Sequence, residues 1–103
     1  MAFCNDILEY YLGMDDLQEL RHEINEIDNQ IFSLLTQRLN VVNNISMVKK
    51  QQSLPVFDKN REDNIYHRID SAYEGRTGLY LKDIYKTVMN ESKRIQKEKL
   101  GTQ

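Results

Sequence analysis

A guanidinium group falls inside a hydrophobic repeat in the first half of this chain. Between residues 17 and 48, apolar side chains fill nine of ten positions spaced alternately three and four residues apart, and the tenth is Arg38. The apolar members are Leu17, Leu20, Ile24, Ile27, Ile31, Leu34, Val41, Ile45 and Val48. A guanidinium stays protonated in proteins, and burying an unpaired charge is very costly. Arg38 therefore predicts an anionic partner, either a carboxylate of the protein or a bound ligand.

Two further cations have informative spacings from Arg38. Lys49 follows it by eleven residues, about 20° of rotation and roughly 16 Å on a helix, so both side chains can reach one ligand between them. Arg21 precedes it by seventeen residues and lies about 25 Å away on another side of the helix. Only an antiparallel partner chain could bring its Arg21 to the same ligand.

Later segments add polar residues to this group. They are Asp58, Arg61, Glu62, Ser92 and Gln96, and the last two lie one turn apart within an apolar stripe. The sequence has no Cys–His or Ser–His pair and no metal-ligand spacing, so we predict no metal and no cofactor. The set suits a small dianion and a reaction that depends on electrostatics and orientation.

Each polar residue also has a purely structural explanation. Asp58 could be only a helix cap, Arg61 and Glu62 a solvated face, and Ser92 could bond back to its own helix. Arg38 could pair with Glu62 or Glu91 as a structural bridge. The joint pattern favours a site, because independent explanations would otherwise be needed for every member.

The hydrophobic pattern predicts an all-α fold of three helices. The first begins near Asp15 or Asp16 and ends near Gln51, before Pro55, which cannot continue a helix. The second has Asp58 as N-cap and runs from Lys59 to about Tyr73, with Ile65 and Ile69 inward. A polar turn at residues 74–77, bracketed by Gly75 and Gly78, precedes a third helix from about Tyr80 to Lys99. The inner stripe predicted for the third helix is Leu81, Ile84, Tyr85, Val88, Ser92 and Ile95.

The first predicted helix is too long for a compact monomer. Its 37 or so residues would span about 55 Å, whereas a globule of this size is roughly 35 Å across. Two shorter helices cannot cover such an apolar seam, and uncovered stripes usually mark an interface. We therefore predict an intertwined homodimer in which two long helices pack antiparallel.

Composition narrows the class of protein. The chain has 103 residues, which predicts one small domain. With 29% charged residues and a net charge of −2, it has no general positive electrostatic potential that would attract nucleic acid or an anionic membrane. A lone Cys4 fits a reducing cytoplasm, and no signal peptide or transmembrane span is predicted. Residues 1–13 are interpreted as an N-terminal extension and residues 14–103 as the domain.

The ordered motifs resemble the all-helical (AroQ) class of chorismate mutases. The resemblance covers Leu17 to Gln96. Its landmarks are Leu20-Arg21, Ile27-Asp28, Leu34-Leu35, Arg38, Lys49, Pro55-Val56-x-Asp58-x-x-Arg61-Glu62 and Glu91-Ser92-x-x-x-Gln96. It implies a three-helix protomer in an intertwined dimer with two active sites, and the conversion of chorismate to prephenate on the route to phenylalanine and tyrosine.

The resemblance also implies roles for individual residues. Arg38 and Arg21 of the partner subunit would hold the two substrate carboxylates, assisted by Arg61 and Ser92. The Glu62 side chain and the backbone N–H of Asp58 would bind the ring hydroxyl. Lys49 and Gln96 would donate to the ether oxygen. Two alternatives stay open, an isochorismate-pyruvate lyase of the same fold and a non-catalytic ligand-sensing helical dimer.

Overall fold

Three helices make up the part of the chain that the structure, a computed structural model, describes, residues 16–101. They are α1 (Leu17–Gln52), α2 (Lys59–Ala72) and α3 (Gly75–Leu100), and no strand occurs within this range. The all-α prediction, with one very long helix, is confirmed. The alternative cap at Asp15 and the extension at residues 1–13 lie outside the described residues.

The break between α1 and α2 lies where Pro55 and Asp58 predicted it, between Gln52 and Lys59. Beyond the end of α1, Ser53 adopts a left-handed φ of 56°, and the Leu54 N–H donates to the Lys49 carbonyl at 2.9 Å. The Asp58 carboxylate then accepts a hydrogen bond from the Arg61 backbone N–H at 3.1 Å. Asp58 is therefore the N-cap of α2, as predicted.

The predicted turn before α3 is wrong, because α3 begins at Gly75, five residues earlier than Tyr80. Gly75 has a φ of 62°, which suits glycine at the sharp entry to the helix. Gly78 lies inside the helix, where an added Cβ would be 2.6 Å from the Tyr73 carbonyl oxygen. The two glycines therefore allow the helix to start close to the preceding chain.

The described residues fall into two compact units, which divide between Gln37 and Arg38. In the second unit, α2 packs against α3 around Ile65, Ile69 and Met89. Of the predicted inner stripe of α3, Leu81 and Tyr85 pack against this core. Ile84 is 41% exposed instead, and Met89, which was not predicted, is buried. Positions 81, 85 and 89 are spaced four residues apart and so lie on one face of the helix, whereas position 84 points away from that face.

The C-terminal part of α1 uses a different face from the one predicted. Val42 and Ser46 are buried, and the Ser46 hydroxyl donates to the Val42 carbonyl at 2.9 Å. Val41, Ile45 and Val48 remain 41–56% exposed. The repeat was predicted to be the packed face, but in the second unit the buried positions of α1 are the neighbouring 42 and 46.

The apolar repeat of the first unit is also uncovered. Its six members between Leu17 and Leu34 are 44–62% exposed. An exposed apolar row of this length on a polar helix is typical of a surface that another molecule covers.

Candidate active site

A cleft of about 300 Å³ lies within the second unit. Apolar side chains of all three helices and of the α1–α2 connection form part of its wall. The polar residues that line it are Arg38, Lys49, Asp58, Arg61, Glu62, Ser92, Lys93 and Gln96. Seven of the eight predicted site residues are thus brought together. The eighth, Arg21, is exposed on α1 in the first unit and does not line the cleft.

Arg38 meets neutral groups and an aromatic ring. Its guanidinium donates a hydrogen bond to the Ser92 hydroxyl and lies 5.7 Å from the centre of the Tyr85 ring. The Ser92 hydroxyl itself donates to the Val88 carbonyl at 2.9 Å, so its remaining role is to accept from Arg38. Back-bonding of Ser92 within its own helix therefore occurs together with its contact to Arg38.

The structural bridge considered for Arg38 is absent from the described part of the chain. Within residues 16–101, no carboxylate oxygen lies within 4.0 Å of its guanidinium nitrogens. The two carboxylates considered as partners are engaged elsewhere, Glu62 with Lys93 and Glu91 with Arg94. Arg38 is half-buried and lines the cleft, and no carboxylate of the described residues neutralises its charge there.

Lys49, which also lines the cleft, is held by two neutral acceptors. Its ammonium donates to the Val56 carbonyl at 2.9 Å and to Gln96 Oε1 at 2.7 Å. An ammonium only donates, so the amide oxygen of Gln96 must face Lys49. Gln96 is only 7% exposed, and its Nε2 makes no hydrogen bond within residues 16–101. The cleft is therefore offered one ammonium and one amide donor side by side.

The first turn of α2 contributes groups of both charges. The Asp58 carboxylate is occupied in capping the helix, and Arg61 is exposed, with its guanidinium donating to Asn64 Oδ1 at 3.2 Å. Glu62 is more enclosed, and its backbone N–H donates to the Asp58 carbonyl at 3.1 Å. Capping and cleft lining are therefore combined in the same turn.

Lys93 is a cleft residue that the sequence analysis missed. Its ammonium lies 3.0 Å from Glu62 Oε2 and 5.2 Å from the centre of the Phe57 ring. A lysine on a charged helix is usually a solvated residue, so its type alone carried no signal. The position of Lys93 did carry a signal, because Lys93 precedes Gln96 by three residues and therefore lies on the same face of the helix.

The charge of the cleft is opposite in sign to that of the chain. Four cations (Arg38, Lys49, Arg61 and Lys93) face two carboxylates (Asp58 and Glu62), a formal charge of +2 against −2 for the chain. Among the described residues, no group of three or more His, Cys, Asp or Glu side chains could hold a metal ion. None of the described helices has the length and apolar character needed to cross a membrane. The cleft can attract and orient a small dianion.

Comparison with known proteins identifies the family. The family described as chorismate mutase type II matches residues 20–97. The chain belongs to this family. A chorismate mutase from Methanocaldococcus jannaschii is 30% identical over 92 residues, which are 84% of this chain and 90% of that protein.

Other relatives of this chorismate mutase family member differ in size. A conserved hypothetical protein of known structure from Pyrococcus furiosus is 34% identical, with a TM-score of 0.69 over 82% of this chain and 99% of that one. The T-protein of Haemophilus influenzae is 30% identical over 81 residues, which are 77% of this chain but 22% of that protein. The family resemblance inferred from the motifs is therefore confirmed.

Proposed function

We propose that the cleft between Arg38 and Gln96 is the active site in which this chorismate mutase family member rearranges chorismate to prephenate. The enzyme is an isomerase of aromatic amino-acid biosynthesis. The observation that carries the site assignment is the pair Arg38 and Lys49, two cations that line one cleft and contact neutral acceptors. A dianionic substrate supplies the counter-charges that both lack among residues 16–101.

Arg38 would bind one substrate carboxylate, with Ser92 fixing its guanidinium and Arg61 adding charge at the rim. Arg21 of the partner subunit would bind the other carboxylate. The exposed apolar repeat of α1 supports an intertwined homodimer, because packing two such helices together covers both repeats. A cytoplasmic location and the absence of a cofactor remain predictions from the sequence.

Lys49 and Gln96 would stabilise the transition state. As the bond between the ether oxygen and the ring carbon breaks, that oxygen gains negative charge, and adjacent ammonium and amide donors bind it more strongly than in the ground state. A millionfold acceleration needs roughly 8 kcal/mol. Two donors at a few kcal/mol each, with the substrate held in its reactive chair-like conformer, can supply this. Glu62 and the backbone N–H of Asp58 would bind the ring hydroxyl.

A direct assay tests the function. Purified protein is mixed with chorismate, the loss of its ultraviolet absorbance is followed, and the product is identified by chromatography. We expect prephenate. The same assay with isochorismate distinguishes the lyase alternative, which would release pyruvate. Failure to convert chorismate, by a folded protein, would contradict the proposed function.

Gln96→Glu is expected to make activity depend on acid. A carboxyl group donates a hydrogen bond only when protonated, and once ionised it would also neutralise Lys49. We expect a loss of about a hundredfold or more at pH 8, the cost of one oxyanion donor, with recovery below about pH 5, near the reference Glu pKa of about 4.3. The measurement is kcat/KM for chorismate at several pH values between pH 4.5 and pH 8.

The control for this variant is Gln51→Glu, which makes the same change at an exposed position of α1. Its pH profile should match the wild-type profile. If Gln96→Glu were as active at pH 8 as at pH 5, Gln96 would not be a donor to the ether oxygen.

A further inference from the structure

Lys93 is the remaining charged residue of the cleft, and the proposed mechanism does not use it. Its side chain is 26% exposed, and that of Glu62 is 22% exposed. The pair joins α3 to the first turn of α2 with 3.0 Å between Lys93 Nζ and Glu62 Oε2. Solvent and salt screen a partly buried ion pair less than an exposed one, so this pair can hold a defined geometry.

A second contact restricts the Lys93 ammonium. The Phe57 ring, in the α1–α2 connection, lies with its centre 5.2 Å from Lys93 Nζ, which is within the range of a cation–π interaction. The ammonium thus contacts both an aromatic ring and a carboxylate. The three residues come from three separate segments, so the contact ties the connection and both helices together at the cleft.

We propose that Lys93 is a positioning residue that acts through Glu62. By pairing with Oε2, it holds the carboxylate turned so that Oε1 is available to accept the hydrogen bond of the substrate ring hydroxyl. Without Lys93, the Glu62 carboxylate would lose the ion-pair contact that fixes its orientation. The inference rests on the proposed function, in which Glu62 binds that hydroxyl.

The charge of Lys93 could instead act directly on the dianionic substrate, and a double-variant cycle separates the two modes. Lys93→Met removes the charge but keeps an unbranched side chain, and Glu62→Gln keeps the shape of its acceptor. We expect Lys93→Met to raise KM for chorismate by about tenfold or more with a smaller change in kcat, because the hydroxyl contact exists in both ground and transition states. In the Glu62→Gln background, the same change should add almost nothing.

Two further variants complete the test. Lys93→Arg, which can still pair with Glu62, should restore KM to within about threefold of wild type if charge at this position suffices. Lys86→Met removes a charge from an exposed position of the same helix and should leave the kinetics unchanged. Circular dichroism and the thermal midpoint are recorded for every variant, and if Lys93→Met does not fold, Lys93→Gln replaces it in the cycle.

The outcomes are distinct. An equal loss from Lys93→Met in the wild-type and Glu62→Gln backgrounds would overturn the proposal and assign Lys93 to the substrate itself. Wild-type KM in Lys93→Met would also overturn it. The wild-type enzyme is assayed in parallel. If wild type converts chorismate and either of these two results is found for Lys93→Met, only the role of Lys93 is refuted. Absence of conversion by wild type refutes the proposed function.

Discussion

Arg38→Met is expected to remain folded but to lose kcat/KM for chorismate by about a thousandfold or more, since a carboxylate clamp in an enclosed site contributes several kcal/mol. The structure gives two reasons for the retained fold. Arg38 has no carboxylate within 4.0 Å among residues 16–101, and its contacts are one hydroxyl and one ring. Losing these contacts costs little, and removing a half-buried unpaired charge offsets part of that cost.

The measurements are steady-state kinetics and thermal unfolding at a fixed protein concentration, because the stability of an oligomer depends on concentration. Arg76→Met, at an exposed position in the first turn of α3, is the matched control and should be fully active. We expect the midpoints of both variants to lie close to that of wild type. A strongly destabilised Arg38→Met protein would assign Arg38 to the structure of the helices and remove the main support for the site.

Mixing two inactive variants, Arg21→Ala and Lys49→Ala, is expected to restore activity. If each site combines Lys49 of one chain with Arg21 of the partner subunit, a heterodimer has one site with both lesions and one intact site. Random exchange makes half of the dimers heterodimers, so an equimolar mixture should reach about one quarter of the wild-type activity. Each variant alone should be nearly inactive, because each lacks a cation that binds the dianion or its transition state.

Controls make this result interpretable. Subunit exchange is verified with two differently tagged chains, and sedimentation at micromolar concentration should show a dimer. Arg21→Ala mixed with Arg38→Met should also recover, because Arg38 and Lys49 line the same cleft. If exchange is verified but activity stays absent, Arg21 and Lys49 do not belong to different chains of one site. A compact monomer would contradict the shared site altogether.

The sequence by itself determined the number of helices, the break between the first two and most of the cleft residues. Signals for these features are local: Pro55 cannot continue a helix, and Asp58 caps the next one through a residue three positions away. Arg38 was conspicuous because a guanidinium in an apolar repeat has few explanations. The two polar positions of α3, Ser92 and Gln96, followed from the same reasoning, and both line the cleft.

Only the tertiary structure decided which groups meet. Gly78 was predicted to be part of a turn, but it lies in α3, where its lack of a Cβ allows the Tyr73 carbonyl to approach closely. That approach depends on how the chain enters α3. Met89 replaces Ile84 in the core, although both are apolar, because the inward face of α3 is set by where α2 lies. Lys93 finds Glu62 across two helices. Helical periodicity gives the direction of each side chain relative to its own axis, whereas its partner depends on the distance and rotation between helices, which packing sets.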